Sequence, residues 1–343
     1  MTDAITSKQH SYFHAASSDS PLLAVNDLQV EYRTRRGAVG AVDHVTFDVK
    51  PNEVFGLAGE SGCGKSTAAH AIIRILKPPA YITGGSVTFM GRNVLDLNEI
   101  ELRRFRWEHV SIVFQSAMNA LNPVLTIGNQ IIDVLQAHTK ISKEQGRERA
   151  LELLRIVGID TNRIDSYAHQ LSGGMRQRAV IAIALALNPE LIIMDEPTTA
   201  LDVVVQKQIL KEIKQLKEQF GFSILFITHD LSLLVEFSDR IGIMYAGKLV
   251  ETAPSKTIFN DPEHPYTVRL MNSFPTVHGE RKKMLGIPGS PPDLISPPPG
   301  CRFHPRCELM IAGQCEVAEP VLESIAPDHR VACHLMDMKG TES

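Results

Sequence analysis

Val54-Phe55-Gly56-Leu57-Ala58-Gly59-Glu60-Ser61-Gly62-Cys63-Gly64-Lys65-Ser66 passes from an apolar run into a glycine-rich loop and opens a helical pattern at Lys65. Its last eight residues fit G-x-x-x-x-G-K-[ST] between a strand and a helix, the setting that motif needs to hold a phosphate chain. Gly59, Gly62 and Gly64 let the backbone curl so that successive N–H groups converge on phosphate oxygens. The start of the helix adds partial positive charge. Lys65 is placed to reach the β- and γ-phosphates, Ser66 to ligate Mg2+, and Thr67 to touch the α-phosphate. Glu60, Ser61 and Cys63 fill variable positions, and Cys63 reads as a small side chain in a tight loop.

Outward from this loop, short apolar runs at residues 110–114, 191–194, 224–227 and 241–244 repeat the character of residues 54–58. Near-continuous apolarity suits strands covered on both faces. Helical patterns at 65–76, 143–157, 174–187 and 203–220 lie between them, which predicts an α/β fold with a mainly parallel sheet. Upstream, Val45, Phe47 and Val49 alternate with Thr46, Asp48 and Lys50, the period of a half-buried antiparallel strand. The run Leu191-Ile192-Ile193-Met194 ends in Asp195-Glu196. Two carboxylates then sit at the carboxyl edge of the sheet, where α/β proteins bind ligands. Asp195 can hold Mg2+ through water, and Glu196 can orient or deprotonate an attacking water.

Composition narrows the class. A formal net charge of −4, with signs mixed along the chain, gives no basic face for nucleic acid. The longest apolar stretch, residues 179–187, is about half the ~20 residues a transmembrane helix needs. Residues 1–21 lack the basic-then-apolar order of a secretory signal and read as a flexible leader. The expectation is a cytosolic chain that meets the membrane only through partners. Residues 287–306 are crowded with proline, including Pro291-Pro292 and Pro297-Pro298-Pro299, and read as an extended linker. Cys301, Cys307, Cys315 and Cys333 follow, and in a cytosolic chain such a cluster suggests metal rather than disulfides.

A second glycine-containing element decides the family. Leu171-Ser172-Gly173-Gly174-Met175-Arg176-Gln177-Arg178 stands just before a helix, so Ser172 and the N–H groups of Gly173 and Gly174 form another anion site. With two phosphate-binding edges in one chain, the sequence closely resembles the nucleotide-binding domain of ABC transporters, whose signature is LSGGQ-like. Met175 departs from the short form, while Gln177-Arg178 keeps the longer one. The resemblance covers roughly residues 22–253. It implies a P-loop NTPase of the ABC type, with an α/β core, an antiparallel β subdomain and a helical subdomain around 102–179. It further implies that Tyr32 stacks on adenine, the alternative being a strand aromatic in the core. Gln115 matches the Q-loop glutamine that senses Mg2+ and the membrane partner. Ala200-Leu201-Asp202 matches the D-loop, and His229 the switch histidine of the γ-phosphate. Catalysis then falls to Glu196, His229, Gln115 and Lys65, with Mg2+ held by Ser66, Gln115 and Asp195. ATP on one subunit would be closed by Ser172 and Gly174 of another.

Phe114-Gln115-Ser116-Ala117-Met118-Asn119-Ala120-Leu121-Asn122-Pro123 resembles the Q-loop of oligopeptide/dipeptide importers, and so do His264-Pro265-Tyr266 and the stretch from Pro298 to Cys307. Within that family the chain is more similar to the D-type than to the F-type subunit. The resemblance implies an ATP-hydrolysing subunit on the cytoplasmic face of the membrane. Its implied partners are a second ABC ATPase in a heterodimer, two transmembrane permeases and an extracytoplasmic solute-binding protein. Residues 116–123 would lie beside the groove that receives a permease helix. Family members also import oligosaccharide, nickel or glutathione, and a soluble ABC ATPase of iron–sulfur assembly is a further alternative. The expected organisation is a leader at 1–21, a nucleotide-binding domain at 22–262 and a loop-rich metal-binding extension at 263–343. The spacing C-x5-C-x7-C-x17-C lacks the close pairs of structural zinc sites, and the resembling family carries a [4Fe–4S] cluster at such cysteines. Zinc remains the alternative.

Overall fold

The alternation of the first described segment resolves into a hairpin, β1 (Leu23–Thr34) and β2 (Gly37–Val49), paired antiparallel from Leu23↔Val49 to Thr34↔Gly37. Val45, Phe47 and Val49 turn inward as their period requires. With β4 (Ala80–Phe89) and β5 (Arg92–Asn93) they form a four-stranded antiparallel sheet, ordered β2-β1-β4-β5. The computed structural model describes residues 20–115, 120–197, 202–273 and 286–339. The leader therefore lies almost wholly outside the described residues.

The apolar runs build the second sheet. β3 (Val54–Ala58), β6 (Val110–Val113), β7 (Leu191–Asp195), β8 (Ser223–Ile227) and β9 (Arg240–Tyr245) are parallel neighbours in the order β9-β3-β8-β7-β6. Their side chains divide by parity. Val54, Ala58, Ile192, Met194, Ile224 and Phe226 enter one core, shared with the helical subdomain. Phe55, Leu57, Leu191, Ile193, Leu225 and Ile227 enter the other, shared with the antiparallel sheet. Both faces are buried, which is why these strands read as continuous apolar runs.

Helix α1 (Lys65–Ile72) follows β3, and α2 (Glu99–Arg104) precedes β6. The helical subdomain holds α3 (Ile127–His138), α4 (Lys143–Ile156) and the start of α5 (Gly173–Ala184), whereas α6 (Val203–Phe220) connects β7 to β8. Two helices fall short of the predicted end by more than one residue. α1 stops four residues before 76, because Arg74 takes a left-handed φ of 53° and Ile75 N–H reaches back to His70 O at 3.0 Å. That is a Schellman ending on a residue other than glycine, which periodicity does not reveal. α5 ends at Ala184, where the chain tightens toward Asn188, itself left-handed at φ 51°.

The C-terminal tail adds to the sheet instead of standing apart. β12 (His329–Val331) pairs with β10 (Lys248–Pro254), and β11 (Glu323–Ala326) pairs with β12. Beneath them Glu251, fully buried, accepts from Glu263 N–H at 2.9 Å, His264 N–H at 3.0 Å and His329 Nε2 at 2.9 Å. Burial pushes its carboxyl up, but these bonds win and hold it below the ordinary value. Among the described residues no helix is long and apolar enough to cross a membrane.

Candidate nucleotide site

The loop between β3 and α1 is glycine-rich for a steric reason. Gly59 has φ 146° and Gly64 φ 107°, and a Cβ at either would stand 2.1 Å from a backbone oxygen, Met244 O or Ala41 O. Only glycine accepts both the left-handed conformation and that approach. Lys65, buried at the first position of α1, folds back over the loop and donates to Gly59 O at 2.8 Å and Glu60 O at 3.0 Å. Its ammonium thus stays inside the concavity that the loop encloses. Cys63 is 4% exposed and burial pushes its thiol up, which suits a small packing residue.

The predicted residues converge by direct contact. Ser66 Oγ donates to Asp195 Oδ1 at 2.9 Å. Asp195, at the end of β7, is 2% exposed, and burial pushes its carboxyl up against the opposing Ser66 bond. One residue on, Glu196 turns to φ 48° while its N–H holds Ile227 O at 2.8 Å. A left-handed conformation at a residue other than glycine costs about 1–3 kcal/mol and points to a functional constraint. The turn aims the carboxylate at two groups. Gln115 Nε2 donates to Glu196 Oε2 at 2.7 Å, and His229 Nδ1 lies 3.2 Å from Oε1. Gln115 comes from the end of β6 and His229 from the end of β8, on either side of β7, so neighbouring strands deliver all three to one edge. Tyr32 reaches the same region from β1, its hydroxyl 3.1 Å from Thr67 Oγ1.

The signature residues form their own N-terminus. Ser172 caps α5, accepting from Met175 N–H at 3.3 Å, and stays exposed, with Gly173 and Gly174 in the first turn. Leu171 anchors the turn in the core, and Met175 packs against it. Asp202 caps α6 through Val205 N–H at 3.0 Å. Ala200 and Leu201 of the D-loop and residues 116–119 of the expected coupling stretch lie outside the described residues.

Cys301, Cys307, Cys315 and Cys333 line one small cavity together with His264 and Phe303. Yet among the described residues no three His, Cys, Asp or Glu side chains stand close enough to share one ion, so the expected metal centre is not assembled in this conformation. Cys315 Sγ instead accepts from Ile311 N–H at 3.4 Å. Burial pushes the Cys301 and Cys333 thiols up to about 11 and about 12, as it does for thiols away from water with no cation beside them.

Some contacts were not foreseen from the sequence. His70 Nε2 lies 3.8 Å from Asp195 Oδ2, and burial lowers the basicity of its ring against the pull of that carboxylate. Glu60 of the phosphate loop is held by Tyr266 and Arg306, both beyond residue 262. An acid inside a loop meant for phosphate is itself a signal that a cation must stand nearby.

Comparison with known proteins agrees with this geometry. Residues 42–199 match the ABC transporter family, and residues 250–315 match the oligopeptide/dipeptide transporter C-terminal region. The probable peptide ABC transporter ATP-binding protein y4tR of Sinorhizobium fredii is 46% identical over 91% of this chain and 94% of its own. The oligopeptide transport ATP-binding protein OppD of Bacillus subtilis is 43% identical over 92% and 89%. A dimeric ATP-binding cassette solved in a post-hydrolysis state with ADP and Pi superposes with a TM-score of 0.61 at 31% identity, covering 68% of this chain and 98% of that one.

Proposed function

This chain belongs to the ATP-binding subunits of ABC transporters, in the oligopeptide/dipeptide branch, and from that premise we propose how its site works. It is the ATP-hydrolysing subunit of a peptide or dipeptide importer and works with transmembrane permease subunits. The observation that carries the mechanism is the grip of Gln115 and His229 on Glu196. Glu196 takes the proton of the attacking water, Gln115 fixes the orientation of its carboxylate, and His229 faces the γ-phosphate from the other side. Lys65 and the loop N–H groups hold the phosphates. Ser66 and Asp195 offer the hard oxygen donors that suit Mg2+. When bound, that ion neutralises charge between the β- and γ-phosphates.

The exposed Ser172 and the half-buried Gly174 beside it serve to close the nucleotide of a second ATPase subunit, so the working unit is a dimer of two ABC chains, here read as a heterodimer. That dimer sits peripherally on the cytoplasmic face beneath two permeases, supplied by a solute-binding protein. We take the nucleotide-binding domain as 22–262 and the extension as 263–343. Purified with its permeases, the complex should hydrolyse ATP several-fold faster when peptide-loaded binding protein is added. A rise with oligosaccharide, nickel or glutathione instead would change the solute, and no partner-dependent rise at all would contradict the importer reading.

For the tail cysteines, which share one cavity without converging on a single ion, we propose a second group. Four thiols on one cavity wall match the donor set of a [4Fe–4S] cluster, with tetrahedral zinc as the alternative. When bound, such a group pins a loop-rich tail with few apolar residues. Protein purified without oxygen should be brown and carry about four irons per chain. Colourless protein with zinc would contradict the cluster.

A further inference from the structure

Glu60 places a carboxylate within the loop that receives the most negative part of ATP. Left alone, it would repel the phosphates. It is not alone, because the guanidinium of Arg306 meets it fork to fork, Nη1 at 2.8 Å from Oε2 and Nη2 at 3.0 Å from Oε1. Such bidentate pairs fix geometry as well as charge. Arg306 is in turn immobilised. Its Nε donates to Pro288 O at 2.7 Å and its Nη1 also reaches Tyr245 Oη at 3.1 Å. The guanidinium lies over the Tyr245 and Phe303 rings, at 5.7 and 5.9 Å from their centroids. Its side chain is only 6% exposed. A second hold acts on the backbone, where Glu60 N–H donates to the Oη of Tyr266, a residue wholly buried in α7 (Pro265–Asn272). Arg306 closes a single turn at 304–306 between Cys301 and Cys307.

We propose that Arg306 is a positioning residue for the phosphate loop: the tail draws the Glu60 carboxylate aside and cancels its charge, so that the loop can accept a nucleoside triphosphate. This rests on the nucleotide-site reading above. It also makes the tail and the loop reciprocal partners, since whatever Arg306 does for ATP affinity, bound ATP does for the order of the tail. A mere staple would behave differently, because its loss would not depend on the charge at position 60 or on the charge of the ligand.

The test is equilibrium binding of fluorescent ATP and ADP analogues to the full chain. Arg306→Ala should weaken ATP binding about tenfold, the effect of one uncompensated negative charge near the phosphates. The loss should be smaller for ADP and should shrink as salt is raised. In a Glu60→Gln background the same substitution should change ATP affinity less than about twofold, since coupled sites are non-additive. Arg306→Lys, which keeps the charge but loses the bidentate fork and the ring stacking, should recover part of the affinity and covers the case in which the alanine variant fails to fold. Unchanged ATP affinity in Arg306→Ala, or an equal loss in both backgrounds, overturns the proposal. A parent chain that binds no ATP would instead bring down the nucleotide-site reading itself.

Discussion

Glu196→Gln binds ATP and does not turn it over. The amide keeps the length and shape of the side chain, and the left-handed backbone at 196 is unaffected because its N–H bond to Ile227 O remains. What is lost is the ability to accept a proton from water. General-base catalysis contributes about 10²–10⁴-fold, and the steady-state ATPase rate of the complex should fall by that much. Binding rests on other groups, chiefly the Gly59–Ser66 loop, so affinity for ATP should hold. With hydrolysis stopped, dimers closed on ATP accumulate and can be isolated with ATP still bound. A lesser loss of rate would mean that Gln115 and His229 orient water without help from Glu196.

Lys65→Ala fails one step earlier. Its ammonium is 7% exposed and held on Gly59 O and Glu60 O, already at the concavity of the loop. A buried charge-assisted hydrogen bond contributes about 1.5–3 kcal/mol, so ATP affinity should drop by about 10- to 150-fold. Titration with a fluorescent ATP analogue reads this directly. The two variants therefore separate binding from chemistry, and an alanine variant that kept its ATP affinity would remove Lys65 from the site.

Much of this site is legible in the sequence because its parts lie where strands end. The runs at 54–58, 110–113, 191–195 and 223–227 are parallel neighbours, so Gln115, Glu196 and His229, each just beyond its strand, and Lys65, across the loop from β3, must meet at one edge. The steric need for Gly59 and Gly64 follows from the motif for the same reason. Other features leave no periodic trace. The left-handed turn at Arg74 that ends α1, the short strands at 323–326 and 329–331, and the buried Glu251 hub depend on contacts between distant segments. The bond from Arg306 to Glu60 spans 246 positions, and although an acid in a phosphate loop asks for a cation, nothing local says which residue supplies it. The cysteines are conspicuous as a cluster, but spacing alone does not set where four thiols point, and here they share a cavity without converging on one ion.

The central claim is that Glu196, gripped by Gln115 and His229, is the base for hydrolysis at the phosphate loop. Single-turnover phosphate release tests it most directly. The assembled complex is loaded with ATP, excess nucleotide is removed, and one round of release is followed with the parent chain and with Glu196→Gln. The parent should release phosphate in one exponential phase, while the variant retains intact ATP, its rate about 10²–10⁴-fold lower. Phosphate release from the variant at the parent rate would show that proton abstraction lies with another group and would contradict the account.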